Sequence, residues 1–132
     1  MTYTIVASDP ERGLLGVATA SFSLAVGAGV PALRVGVGAV ASQAYTNRAL
    51  REHALAALAA GESPAEIVAG IPGIDSGHAR RQLAVVSAAG QAAAHTGVEC
   101  SDWAGHRVGA GYAVAGNLLT GPAVLDEMIA AY

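Results

Sequence analysis

Seven residues of this 132-residue chain carry side chains suited to amide chemistry: Thr2, Ser21, Gln43, Asn47, His95, His106 and Asn117. Thr2 follows the initiator methionine. A threonine at a free chain end attacks an amide carbonyl through its hydroxyl, with its own α-amine as general base, because that amine, unlike lysine, titrates near neutrality. The small Thr2 side chain permits removal of Met1, which would expose the amine; with Met1 attached, Thr2 has none. His95 (in Ala94-His95-Thr96-Gly97) and His106 (in Ala104-Gly105-His106) suit acid, base or ligand roles. Ser21, Gln43, Asn47 and Asn117 fall at or just beyond expected strand ends. Uncharged groups there can hold an amide or ureide-like ligand or build an oxyanion hole. Each also has a plain structural use. Thr2 suits a strand, Asn47 a helix cap, Ser21 and Asn117 turns, and a half-buried histidine can simply bond backbone. Residue chemistry alone leaves both readings open.

Other chemistries find less support. His95, Glu99, Cys100, Asp102 and His106 lie within twelve residues and include zinc-type donors, but their spacing matches no paired-ligand pattern, so no metal is expected. Gly27-Ala28-Gly29 and Gly36-Val37-Gly38 lack the full dinucleotide fingerprint, so no nucleotide cofactor is expected. His53 and His78 read as helix-surface and loop residues.

The elements that must position these groups follow from period and turn chemistry. Thr2–Ser8 and Leu14–Ser21 read as strands around the turn Asp9-Pro10-Glu11-Arg12-Gly13. The second is nearly continuous apolar, which predicts a hairpin in mid-sheet. Phe22–Gly29 reads as a glycine-rich loop or short helical turn, Val30–Leu33 as a short extended piece and Val35–Gln43 as a third strand. Gly36 and Gly38 there mark a bulge or a close backbone approach. Thr46–Ala60 is expected to be a helix capped by Thr46 or Asn47, with Leu50, Ala54, Leu55 and Leu58 buried. Ser63-Pro64-Ala65-Glu66 is a capping box opening a short helix that Gly70 and Pro72 should end, with Ile71–Gly77 a loop. Gln82–Ser87 and Gln91–Thr96 read as a second hairpin, Gly97–Gly111 as irregular, Tyr112–Asn117 as a sixth strand and Pro122–Tyr132 as an amphipathic helix. Two tight hairpins cannot be parallel neighbours, so the fold class is α+β, with helices on two mostly antiparallel sheets in one domain, 1–132.

Composition limits the partners. The net charge is −3, from seven arginines, no lysine and ten acids, and no basic cluster exceeds Arg80-Arg81, so nucleic acid is not an expected partner. Leu14–Leu33 is uncharged over twenty residues, yet its Thr19, Ser21, Ser23, Pro31 and glycines suit strand and loop, not a membrane span or a leader. A charged fraction of 13% against 53% hydrophobic leaves too little charge to cover a monomer, and a homo-oligomer, most simply a two-fold dimer, is expected. The single Cys100 suits a reducing cytoplasm.

Five phrases in order, YTIVASDPERGLLGVATAS, VGVGAVASQAYTN, RRQLAVVSAAGQAAAHTG, WAGHRVGAGYAVAGNLL and the helix after them, resemble the uncharacterised bacterial domain-of-unknown-function family 1028. The resemblance spans nearly the whole chain. It implies a grouping with N-terminal-nucleophile (Ntn) hydrolase-like proteins and a four-layer αββα sandwich. It also implies cytoplasmic origin and amidohydrolase-like activity on a small C–N-bond substrate. The HTG and AGH phrases recur in that family, which makes His95 and His106 candidates for one polar site near Ser21, Gln43 and Thr2. Members usually run on into a further helix and strand, whereas this chain stops at Tyr132, which points to a fragment or to layers completed by a second copy. The competing expectation is a non-catalytic binding or assembly module on the same fold, favoured by the lack of an acid–base pair at recognisable spacing.

Overall fold

The computed structural model describes residues 1–132 and folds them into two four-stranded antiparallel sheets, face to face, with helices on both outer faces. The first sheet has the order β2-β1-β8-β7, from β1 (Thr2–Asp9), β2 (Leu14–Ser21), β7 (Gly105–Gly109) and β8 (Tyr112–Asn117). The second has the order β3-β4-β5-β6, from β3 (Pro31–Arg34), β4 (Gly38–Ala44), β5 (Arg81–Ser87) and β6 (Ala92–Thr96). A short α1 (Val26–Gly29) joins the sheets. Helices α2 (Ala49–Ala59) and α3 (Pro64–Ile74) cover the second sheet, and α4 (Ala123–Ala131) covers the first. No helix is long and apolar enough to cross a membrane.

The expected hairpins form for the expected reasons. At the first turn Gly13 takes φ +65° and the Asp9 carboxylate accepts from Arg12 N at 3.1 Å. Gly36 turns β3 into β4 at φ +73°, and a Cβ at Gly38 would collide with the Val86 carbonyl and Leu58. Ser63 and Glu66 cap α3 reciprocally.

Four expectations need correction. The first hairpin is not in mid-sheet: β2 is an edge strand, and its apolar run leaves Leu14, Gly16 and Ala18 exposed on the open face. The third strand begins at Gly38, because Val35–Val37 form the turn. Helix α3 does not stop at Gly70 but runs eleven residues through Pro72, held by the buried Pro64, Ile67 and Ile71. Finally, Gly97–Gly111 is not wholly irregular, since Gly105–Gly109 pairs with β8 as an edge strand.

Side-chain alternation divides the core. Val40, Leu83 and Val85 face the helices with Leu50, Leu55, Ile67 and Ile71. Between the sheets, Val6, Ala39, Ala41, Ala84, Val86 and Ala113 make one tight apolar half. Small residues there let the sheets approach closely. Continuing along the same inner faces, the residues turn polar: Thr4 and Thr2 follow Val6, Gln43 follows Ala41, Gln82 precedes Ala84, and Asn117 follows Ala115. One end of the sandwich is therefore oil-like and the other hydrogen-bonding.

Candidate functional site

Register creates the polar end. On the first sheet Thr2 pairs with both Ser21 and Asn117, and Thr4 pairs with Thr19. On the second, Gln82 pairs with both Gln43 and Thr96. The two rows meet in a hydrogen-bonded chain. Gln82, fully buried, donates through Nε2 to the carbonyls of Gly116 at 2.7 Å and Gly105 at 3.0 Å. Carbonyls can only accept, so they fix the amide's orientation. Its Oε1 then accepts from Gln43 Nε2 and from Asn117 Nδ2, both at 2.9 Å. That in turn leaves Gln43 Oε1 to accept from Thr4 Oγ1 at 2.5 Å, and Thr4 to accept from Thr19 Oγ1 at 2.7 Å. The proton order is set end to end by two backbone oxygens. Gln43 Nε2 keeps one N–H with no acceptor in the protein, at a residue that lines the principal cleft.

That cleft, of about 400 Å³, opens where β1, β2 and β4 end. Thr2, Ser21, Gln43, Thr46 and Arg48 supply its polar lining, and the loop Ser23–Val26 with Gly29 and Val30 its opposite wall. Thr2 Oγ1 and Ser21 Oγ lie 2.9 Å apart. Ser21 Oγ also donates to the Met1 carbonyl at 3.1 Å and accepts from Ser23 N at 3.1 Å. Arg51 pins the wall to α2, its Nη1 reaching the carbonyls of Ala28, Gly29 and Pro31 at 3.2, 2.8 and 3.0 Å. Leu24 lines the cleft while 99% exposed, and Phe22, two residues before it, is 95% exposed. A second cleft of about 260 Å³, lined by Ala44, Tyr45, Ser101, Asn117 and Leu118, adjoins the first through Ala44.

Backbone strain gathers here. Three non-glycine residues have positive φ: Ala25 (55°), Ala44 (67°) and Leu118 (54°). Each lines one or both clefts. Such conformations cost on the order of 1–2 kcal/mol per residue and collect at sites the surrounding fold holds for a purpose.

The seven expected site residues thus divide. Thr2, Ser21 and Gln43 share the principal cleft; Asn117 lines the second and is tied to Gln43 through Gln82. Asn47 lies outside both: its Oδ1 accepts from Ala49 N at 3.1 Å, as a helix cap does, and its Nδ2 bonds Asp75 at 3.3 Å. Asp75 is the anchor of that corner. The Arg81 hydrogen bond, at 2.5 Å through Nε, holds its carboxyl below the ordinary range, against the opposing effect of burial. Arg81 Nη1 goes on to the Tyr45 carbonyl, fastening the segment between the clefts.

Neither histidine lines a cleft. His95 Nε2 lies 2.9 Å from the His78 carbonyl. His106 Nδ1 lies 2.9 Å from Thr96 Oγ1, which lies 3.1 Å from Gln82 Nε2. His106 therefore stands at the far end of the chain that reaches Gln43. Burial pulls its pKa below the ordinary 6.5, and the nearby charges of His95 and Arg107 add to the effect. Glu99 pairs with Arg80 at 3.4 Å, Cys100 Sγ lies against the Arg81 carbonyl, and burial pushes the Cys100 thiol up. No three His, Cys, Asp or Glu side chains gather closely enough to hold a metal ion.

Sequence reasoning missed Thr4, Thr19, Gln82, Thr96 and Arg48. The signal for Gln82 was present: a polar amide immediately before the wholly apolar run Leu83–Val86.

The sequence model of a family of unknown function, DUF1028, matches residues 2–132. A crystal structure of a protein from Silicibacter pomeroyi, described under the same family, superposes with a TM-score of 0.94 at 39% sequence identity. The match covers 98% of this chain and 60% of that one, so the chain spans about three-fifths of its relative's length. A search of curated proteins finds no match.

Proposed function

This chain belongs to the DUF1028 family, and from that premise we propose that it hydrolyses a small amide or ureide-like C–N bond in the principal cleft, with Thr2 as nucleophile after Met1 is removed. One observation carries the reading. The Thr2 hydroxyl lies in the cleft, 2.9 Å from Ser21 Oγ, at the one residue whose α-amine Met1 removal would free. In the attack, Thr2 Oγ1 bonds to the substrate carbonyl carbon and its proton passes to the Thr2 α-amine. The C–N bond then breaks and the leaving nitrogen takes that proton. Water attacks the resulting ester on Thr2, releases the acid and restores the hydroxyl. Removing Met1 also frees the Ser21 hydroxyl from the Met1 carbonyl to orient Thr2. The unpaired N–H of Gln43 is the donor for the carbonyl oxygen as charge develops, a role worth about a hundredfold or more in kcat. His106, Thr96 and Gln82 are positioning residues that hold Gln43 in the required orientation. His95, bonded to the His78 carbonyl, stands outside that hydrogen-bonded chain.

The test joins two measurements on one sample. Intact mass should show Met1 absent, and amine release from a panel of N-acyl and N-carbamoyl compounds should vanish in Thr2→Ala. Met1 retained on a protein that binds these compounds without cleaving them supports the second reading, a non-catalytic binding module. One feature favours that reading: the Met1 carbonyl accepts from both Ser21 Oγ and Phe22 N, which extends the β1–β2 ladder over Met1.

Self-association is part of the proposal. Phe22 and Leu24 lie almost wholly in water next to the edge strands β2 and β3, and a two-fold dimer would bury them. The single thiol, Cys100, is consistent with a reducing cytoplasm as its setting.

A further inference from the structure

We infer that the ligand of the principal cleft carries a carboxylate, read by the guanidinium of Arg48. This rests on the reading of the cleft as a ligand site and adds the chemical class of the ligand. Seven arginines serve the chain, and four are paired: Arg12 with Asp9, Arg80 with Glu99, Arg81 with Asp75 and Arg107 with Asp126. Arg48 is not. Its guanidinium makes no hydrogen bond within the protein and lies at the cleft wall, with Nη2 3.7 Å from where a Cβ on Gly29 would stand. Arg51, a turn further along α2, is also without a carboxylate, its Nη1 held by three backbone carbonyls of the same wall. No Asp or Glu is among the twelve residues that line the cleft. In a chain of net charge −3, one cleft therefore collects uncompensated positive charge.

The lining also has two ends of different chemistry. The Thr2, Ser21 and Gln43 end offers hydroxyls and an amide N–H, which suit a neutral amide or ureide. The Arg48 end offers a planar fork of donors that matches a carboxylate bidentately. A molecule satisfying both carries a carboxylate a few bonds from its amide or ureide group, as acylated and carbamoylated amino acids do. A lone exposed guanidinium, with no second arginine beside it free to close on the ligand, suits a carboxylate better than a phosphate.

The test is an NMR titration of the whole protein with N-acetylglycine, its neutral analogue N-acetylglycinamide, and inorganic phosphate. N-acetylglycine should shift the backbone amides of Ser21–Val26 and Thr46–Arg48 and bind at least about tenfold more tightly than either other probe. Arg48→Gln should lose that tenfold while leaving the affinity for N-acetylglycinamide unchanged. Arg34→Gln, which removes another unpaired arginine outside the cleft, should change neither affinity. Equal affinity for acid and amide, tighter binding of phosphate, an unaltered acid affinity in Arg48→Gln, or no shift up to the solubility limit would each overturn the inference. The hydrolase reading fails separately. Tight binding of the acid without turnover removes that reading and leaves this one. Turnover of N-acetylglycine that is no more efficient than that of N-acetylglycinamide, and that Arg48→Gln does not slow, removes this one and leaves the other.

Discussion

Replacing Gln82 by leucine tests whether the polar end of the sandwich is held by one buried amide. The side chain is fully buried, and leucine has similar volume, so little of the effect is a cavity. The change strips Oε1 from Gln43 Nε2 and Asn117 Nδ2, and Nε2 from the carbonyls of Gly116 and Gly105. The Gly105 carbonyl lies in a half-buried edge strand, where water can replace the lost bond. Gln43 Nε2, Asn117 Nδ2 and the Gly116 carbonyl have no such access, because their bonds to Gln82 are wholly buried. Each stranded group costs about 1–3 kcal/mol, and the apolar gain of leucine returns about 1–2 kcal/mol. With three stranded groups the expected net loss is about 1–8 kcal/mol, a large share of the 5–15 kcal/mol typical of a domain. Urea unfolding followed by circular dichroism reads it as a lower midpoint at unchanged slope. Gln82→Glu should be worse at neutral pH, where a carboxylate would face two carbonyl oxygens, and should recover on acidification, when the protonated acid can donate to Gly116. A Gln82→Leu protein within about 0.5 kcal/mol of the original would refute the argument, since so small a loss means that water or repacking satisfies the stranded groups.

Two further outcomes are expected. Because burial depresses the His106 pKa in the fold, the unfolded chain takes up that proton first, near the ordinary 6.5, so stability is full above that pH and falls as pH drops below it towards the folded value. His106→Gln, which can still bond Thr96, should flatten that limb of a melting-temperature profile; an unchanged profile counts against the assignment. Sedimentation at micromolar concentration should give a dimer that Phe22→Ser with Leu24→Ser dissociates, and a stable monomer of the original sequence would rule out self-association.

What was legible in the sequence was local. Turn chemistry at Asp9–Gly13 and the Ser63–Glu66 capping box are properties of neighbouring residues, and the structure repeats them. The misses are places where distant packing overrules a local signal. Burial of Ile67 and Ile71 carries α3 past Gly70 and through Pro72. Pairing with β8 makes a strand of Gly105–Gly109, which carries one β-branched residue. The site was half legible for the same reason. Thr2, Ser21 and Gln43 stand out by type, but what joins them to Gln82 and His106 is cross-strand register and the contact of two sheets, which no window of sequence contains. That Arg48 lacks a carboxylate partner is likewise visible only once Arg12, Arg80, Arg81 and Arg107 have found theirs.

The central claim is that Thr2 is a nucleophile standing in the cleft, and a β-lactone acylating probe tests it most directly. Intact-mass and fragment mass spectrometry of the purified protein should show Met1 absent and one lactone equivalent on Thr2 Oγ1. Thr2→Ala should show none, and prior incubation with N-acetylglycine should slow the labelling. An unlabelled Thr2 in a protein whose Met1 is gone, or labelling confined to Cys100, would contradict the account.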